Sequence, residues 1–423
     1  MPAQKHSKIW PTPSSPGSSI TSAWKTKSPP AGGKKRSKGK ACSPSAPRRF
    51  PRNRPTITIY SIVISSFAFP FPNLHAQPVA RKDETSENPK PSLLQKWGGF
   101  VKFSHTIFAL PFALASMVLA ARAGFAVLGP KAQESVPWMK LGWPGWKLFS
   151  LILLAMVTAR TCAMAFNRIA DRKFDAANPR TKDRHLPAGK ITLTSAWTLC
   201  ILSALAFVAT TFGIDMVRDA HQGRLVCFFL SPVALLFILG YSLTKRFTDF
   251  THVFLGIALA IAPIGAWLAV NGSFDFSPNV KDPLRHSALL PTIMAAAVVL
   301  WLIGFDIIYA IQDFEFDRDH KLHSLVVRWG PENALTASLL MHMLLLALLT
   351  LFGLFAAFKM SYWIGLIIIS ACLLLEHWIA RKRSLDWVQR AFFNLNGIVS
   401  IVFLVMVVTE VSLVGRFISW RLW

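Results

Sequence analysis

From about residue 100 onward, apolar runs of 16 to 25 residues alternate with short charged segments. A run of ~20 apolar residues is what an α-helix needs to cross the hydrocarbon core of a bilayer. Nine such helices are predicted, near residues 104–124, 147–171, 191–213, 225–241, 250–271, 288–312, 333–357, 360–380 and 394–415. The pattern therefore predicts an all-α, polytopic membrane protein. It excludes a soluble enzyme, a collagen-like fibre and a secreted disulfide scaffold.

Charge sets the orientation. The 423 residues hold 46 Lys and Arg against 21 Asp and Glu, a net charge of +25. The loops after the second, fourth, sixth and eighth runs carry 15 Lys and Arg, more than the remaining loops. The positive-inside rule then places those loops and the N-terminus in the cytoplasm, as in a bacterial inner membrane protein. Residues 1–80 hold 13 Lys and Arg and no acidic residue, among Ser, Pro and Gly. Such a composition cannot bury a core, so residues 1–95 are expected to be a disordered extension preceding a membrane domain at 96–423. A short, proline-broken apolar stretch, Thr56–Pro72, gives the extension the look of a targeting segment; an over-called start site is the alternative. The basic run lacks interleaved aromatics, so no nucleic acid partner is expected. Cys42, Cys162, Cys200, Cys227 and Cys372 form no C-x-x-C pair, and most sit in apolar runs as small hydrophobes.

The chemistry gathers at two helix ends. Arg160, Asn167, Asp171 and Asp175 fall within about an 80° arc at ~100° per residue, a single polar stripe on the second helix. An arginine two turns inside a span almost always faces a cavity or a partner. Asp306, Tyr309, Asp313 and Asp317 make a similar stripe at the end of the sixth helix. The stripes lie four spans apart, an even separation that keeps their orientation and points to a parallel repeat. Carboxylates one helical turn apart suit Mg²⁺, which takes hard oxygen ligands and completes its shell with water or substrate phosphate. Basic loops alongside suit an anionic phosphate tail. A prenyl diphosphate meets both conditions, with its head on the metal and its tail among apolar helices. Mg²⁺ would neutralise the departing diphosphate, and a water-poor pocket would protect an allylic cation until an aromatic ring attacks it.

Four segments carry a family resemblance. They are Asn167-Arg-Ile-Ala-Asp171-Arg-Lys-Phe-Asp175; Arg180-Thr181-x2-Arg184-His-Leu-Pro187-x-Gly189; Tyr241-x3-Lys245-Arg246-x-Thr248; and Asp306-x2-Tyr309-Ala310-x-Gln312-Asp313-x3-Asp317. In this order on nine spans, the chain resembles the UbiA superfamily of intramembrane prenyltransferases over about residues 96–423. The resemblance implies nine helices around a central cavity and transfer of a polyprenyl chain from polyprenyl diphosphate to an aromatic acid. It implies that Asp171, Asp175, Asp313 and Asp317 hold Mg²⁺, with Asn167 beside them, and that Arg184, Lys245 and Arg246 lie near the phosphates. Arg160 is expected in the central cavity, on the acceptor carboxylate or the inner phosphate. Asp306 and Tyr309 are expected to shape that cavity or help remove the ring proton. The segment Lys102–Phe112 resembles the 4-hydroxybenzoate branch, which makes 4-hydroxybenzoate the expected acceptor, in ubiquinone synthesis; that branch also includes enzymes acting on 1,4-dihydroxy-6-naphthoate for menaquinone. Arg168, Phe316, His323 and Ser242 depart from the usual family residues, and the first two leave the motifs with less negative charge.

Smaller signals complete the expectations. His320 and His323 read as a solvated loop rather than a metal pair. Asn394 and Asn396 suit either helix contacts or the acceptor. Trp138–Trp146 reads as an interfacial aromatic belt, and the Leu-rich seventh run as lipid-facing. The rivals are a cation-coupled transporter, which would gather its carboxylates at the membrane midplane, and a prenyltransferase with another acceptor.

Overall fold

The computed structural model describes residues 93–101, 108–218, 224–276, 287–382 and 385–414. The N-terminal basic segment, Thr56–Pro72, Cys42, and residues 102–107 of the first-span motif lie outside them. Among the described residues there is no strand, and nine helices are long and apolar enough to cross a membrane. They are α1 (Leu110–Val127), α2 (Trp146–Ala177), α3 (Leu193–Arg218), α4 (Val226–Gly240), α5 (Thr251–Asn271), α6 (Leu289–Ala310), α7 (Pro331–Phe355), α8 (Met360–Lys382) and α9 (Leu385–Thr409).

Two boundaries differ from the sequence expectation in ways that matter for the site. Helix α2 runs on to Ala177, because the polar stripe continues the helix after hydropathy falls, so Asp171 and Asp175 are both helical. The second stripe, in contrast, does not ride on one continuous α-helix. Helix α6 ends at Ala310, a 3-10 turn spans Ile311–Asp313, and a short helix covers Phe314–Asp319. The tighter winding of a 3-10 turn rotates the short helix relative to α6, so Asp317 is aimed by a separate element.

Helices α2 to α5 pack in sequence order, as do α6 to α9; α5 lies against α6, while α1 lies against α5 and α9. The chain thus forms two four-helix halves with α1 between them. Close approach at the α5–α6 junction depends on Gly256, where a Cβ would stand 3.0 Å from the Val299 carbonyl oxygen. In each half the third helix starts against a buried carboxylate from a neighbour. Asp215 accepts from the backbone N–H groups of Cys227 (3.2 Å) and Phe228 (2.8 Å) at the start of α4. Glu410 accepts from those of Lys359 (2.9 Å) and Tyr362 (3.1 Å) at the start of α8. Each satisfies helix-end donors that lipid could not.

The second half holds a polar ring inside its apolar packing. His342 on α7 faces the Trp301 carbonyl (3.3 Å) through Nε2 and His377 on α8 (2.9 Å) through Nδ1. Next to His377, Glu376 accepts from Asn396 of α9 (3.0 Å), whose oxygen accepts from the Trp301 indole (2.8 Å). These five side chains are buried and tie α6, α7, α8 and α9 together. Asn396 is therefore an interhelical residue, whereas Asn394 is exposed. Helix α7 is lipid-facing on one side only: Leu340, Leu344, Leu351 and Leu354 are exposed while His342 is fully buried. Cys162 and Cys200 lie buried with Sγ atoms 3.9 Å apart in a small apolar cluster, consistent with their reading as hydrophobes. Trp138 and Trp146 are exposed.

Candidate functional site

Both acidic stripes open into one cavity of about 320 Å³. Its walls come from the ends of α2 and α6, the loop after α2, the 3-10 helix Tyr241–Arg246 and the start of α5. Arg160, Asn167, Asp171, Asp175, Arg184, Lys245, Arg246, Asp306, Tyr309, Asp313 and Asp317 all line it, so every sequence-predicted site residue is brought to this one place.

The four carboxylates do not converge on one point. Among the described residues no group of three or more His, Cys, Asp or Glu side chains stands close enough to hold a metal ion directly. Cations are interleaved instead, because four carboxylates in one partly buried cavity repel one another unless each is matched. Arg184 bonds Asp175 at 2.6 Å, and Lys245 bonds Asp317 at 3.1 Å. Arg246 lies 3.9 Å from Asp171 and donates to the Ala170 carbonyl at 2.7 Å. Asn167 donates to Asp171 at 3.0 Å.

Asp313 has the densest set of partners. Arg180 grips both of its oxygens with a two-pronged contact, Nε to Oδ1 being 2.8 Å, and Asn178 donates to Oδ1 at 3.2 Å. Arg180 also donates to the Tyr309 hydroxyl at 3.0 Å and lies 5.3 Å from that ring's centroid. Burial works to lower the Arg180 pKa, but the bonds to Asp313 and Tyr309 outweigh it and hold the guanidinium above its ordinary value. Sequence reasoning selects neither Arg180 nor Asn178 as a site residue, although Arg180 sits in the quoted motif. Only the fold brings the loop after α2 across to the end of α6.

Two further polar groups face the cavity from behind. Asp175 Oδ2 is buried without a hydrogen-bond partner, with Arg168 only at 3.9 Å. Asp306 contacts the fully buried His252 at 2.7 Å, a partner that no motif or spacing points to. His323 pairs with Asp249 at 2.9 Å on the rim, while His320 stacks on Phe316. Both are loop residues. The Arg328 bond, then the His323 bond, hold Asp249 below the usual carboxylate range.

A second cavity of about 360 Å³ lies among α2, α3, α4 and α5. It shares Arg160, Met164, Tyr241 and Leu259 with the first cavity. Beyond that neck its lining is almost wholly apolar, extending to Ile214, Cys227 and Leu268. Arg160 is thus at the boundary between a charged chamber and a hydrocarbon-like one, with its Nε buried and unpartnered. The charged groups gather at one end of the helices rather than mid-span, against the expectation for a transporter.

Comparisons with known proteins agree with this geometry. Residues 136–398 match the UbiA prenyltransferase family. A 4-hydroxybenzoate octaprenyltransferase of Tolumonas auensis is 28% identical over 62% of this chain and 84% of its own length. One from Pseudomonas aeruginosa is 30% identical over 60% of this chain and 78% of its own. The apo structure of a UbiA homolog from Aeropyrum pernix K1 is 30% identical, with a TM-score of 0.57 over 73% of this chain and 98% of that one. A UbiA homolog from Archaeoglobus fulgidus bound to GPP and Mg²⁺ shares the fold at 19% identity, with a TM-score of 0.51 over 75% of this chain and 100% of that one.

Proposed function

The chain belongs to the UbiA prenyltransferase family, and from that premise we propose that it transfers a polyprenyl chain from polyprenyl diphosphate to 4-hydroxybenzoate, as in ubiquinone biosynthesis. The observation that carries this reading is the adjacency of the two cavities: a chamber of matched carboxylates and cations shares Arg160 and Tyr241 as lining with an apolar space. A diphosphate head fits the first and an isoprenoid tail the second.

The donor set suits a divalent cation. Four carboxylates supply hard oxygens, and Asp175 Oδ2 is buried with no hydrogen bond to satisfy it. Asp171, Asp175, Asp313 and Asp317 would hold Mg²⁺ together with diphosphate oxygens, with Asn167 steadying Asp171. When bound, the metal supplies charge neutralisation of the leaving group. The named relatives support the reading, one as a structure bound to GPP and Mg²⁺ and others as 4-hydroxybenzoate octaprenyltransferases.

The protein's own groups do the rest. Arg180, Arg184, Lys245 and Arg246 are already beside the carboxylates and would donate to the phosphate oxygens of a bound diphosphate. Arg160 at the neck takes the acceptor carboxylate or the inner phosphate, and the apolar walls keep water from the cationic prenyl carbon. Phe108, Phe305 and Tyr309 line the chamber and give an aromatic acceptor flat surfaces to pack on. The excess of Lys and Arg in the loops on this side supports a site at the cytoplasmic face of a bacterial inner membrane.

The test is a membrane assay with radiolabelled polyprenyl diphosphate and Mg²⁺, with 4-hydroxybenzoate or 1,4-dihydroxy-6-naphthoate as acceptor and EDTA as control. Mg²⁺-dependent product with 4-hydroxybenzoate is expected. Product only with the naphthoate would move the protein to menaquinone synthesis, and no product with either would overturn an aromatic acid acceptor.

A further inference from the structure

The ring carbon that forms the new bond must lose a proton, and the cavity offers two groups near the acceptor chamber to take it, Asp306 and Tyr309. Tyr309 is committed elsewhere. Its hydroxyl accepts from Arg180 at 3.0 Å, and Arg180 is locked on Asp313, so the phenol belongs to the phosphate end of the site. Asp306 is placed differently. It lines the cavity with 21% of its side chain exposed, and its Oδ2 lies 2.7 Å from His252 Nδ1. Its other oxygen, Oδ1, is not the atom that meets His252.

His252 is fully buried at the start of α5, and its Nε2 has no hydrogen-bond partner. A buried N–H without an acceptor is costlier than a buried lone pair. The arrangement that leaves no N–H unpaired has the imidazole proton on Nδ1, donated to Asp306. A histidine without access to the cavity, whose one satisfied nitrogen faces a cavity carboxylate, resembles the supporting member of a catalytic pair with the usual order reversed. The carboxylate meets the substrate and the imidazole stands behind.

Resting on the prenyl transfer proposed above, we propose that Asp306 accepts the ring proton and that His252 is the positioning residue that aims and steadies its carboxylate. The bond changes balance without another reagent. The C–O bond from the prenyl carbon to diphosphate breaks, with its electron pair leaving on the phosphate. The C–C bond forms from the ring's π electrons at the carbon ortho to the hydroxyl. The C–H bond at that carbon then breaks, its electrons restore the aromatic ring, and the proton goes to Asp306 Oδ1. Asp306 afterwards returns the proton to the departing diphosphate or to water entering the chamber. His252 keeps its proton on Nδ1 throughout and presents the carboxylate in one orientation.

The experiment compares full-length wild type with His252→Leu, His252→Asn and Asp306→Asn in membranes. It measures kcat, KM for each substrate, and the rate ratio between ordinary 4-hydroxybenzoate and the same acid deuterated at both carbons ortho to the hydroxyl. His252→Leu should lower kcat by about tenfold or more, leave KM for polyprenyl diphosphate within about twofold, and raise the deuterium effect above that of wild type as proton removal becomes slow. His252→Asn, whose amide N–H can replace Nδ1–H, should recover most of the rate and lose the added isotope effect. Asp306→Asn should be slower than either. A His252→Leu enzyme with wild-type kcat and isotope effect would overturn the proposal. So would equal losses in the Leu and Asn variants without an isotope effect, which mark a packing role. If the Leu variant does not fold, Asp306→Asn decides: full prenyl diphosphate binding with wild-type kcat would contradict it, since the leaving diphosphate would then be the base. Wild type that transfers to no aromatic acid sinks the activity itself; wild type that transfers while all three variants match it sinks only this pair.

Discussion

The two halves of the protein carry similar acidic stripes but different supporting chemistry. Asp171 and Asp175 close α2 in the first half, and Asp313 and Asp317 follow α6 in the second. Yet all five cations that lie against them come from the first half: Arg168 on α2, Arg180 and Arg184 from the loop after α2, and Lys245 and Arg246 from the 3-10 helix after α4. Basic residues following the second stripe go elsewhere. Arg318 bonds its neighbour Asp319 at the surface, and Arg328 bonds Asp249 on the rim. The halves differ inside as well, one lining an apolar cavity and the other holding a buried polar network in which His377 Nδ1 and Glu376 Oε2 have no hydrogen-bond partner. The repeated motif is thus supported unequally: the first half supplies the pairing cations and an apolar cavity, and the second a buried polar wall. Two charges in the first half, Arg180 and Lys245, reach across to the second and make one site of two stripes.

The largest expected effect comes from breaking either stripe. Asp171→Ala or Asp313→Ala should each cut prenyl transfer by about a thousandfold, with the protein still folded in detergent. Retention of a tenth of wild-type activity, a barrier change of about 1.4 kcal/mol, would remove that residue from the metal site. Next come the cations. Arg180→Ala and Lys245→Ala should slow transfer by about tenfold to a hundredfold, whereas Arg318→Ala and Arg328→Ala should stay within about twofold; reversed ranks in the same assay would undo the asymmetry between the halves. The polar wall predicts a stability effect. Asn396→Leu leaves Glu376 and the Trp301 indole unpaired, and should destabilise the protein by about 1–3 kcal/mol, read as a lower Tm in detergent. The smallest effect belongs to the rim. Asp249 is depressed by Arg328 and His323, so its contribution to stability is complete above about pH 4 and is lost as pH falls below that ordinary aspartate value. Asp249→Asn should therefore lower Tm slightly at pH 7 and by progressively less as the pH falls below about 4.

Much of this was legible because it depends on local pattern. Among the described residues, nine apolar runs became nine helices, and the 3.6-residue period put Arg160, Asn167, Asp171 and Asp175 on one face, all lining the same cavity. What escaped is long-range. Arg180 meets Asp313 across a separation of 133 positions, and no periodicity encodes that. His252 opens an otherwise apolar helix and has no meaning until α5 packs against α6 beside Asp306. The polar network was hidden for the same reason: His342, His377 and Asn396 sit on three different helices and meet only when these pack. The 3-10 turn at Ile311–Asp313 defeated a straight helical projection, because apolar and acidic spacing alone does not report winding.

The measurement that most directly tests whether the two stripes make one site is Mg²⁺-dependent binding of polyprenyl diphosphate to detergent-purified protein, by calorimetry, in wild type, Asp171→Ala and Asp313→Ala. Each single substitution should weaken binding by about tenfold or more, with EDTA abolishing it in wild type. Wild-type affinity in Asp313→Ala alongside lost affinity in Asp171→Ala would show that the first half binds the diphosphate by itself, and would contradict a site shared between the halves.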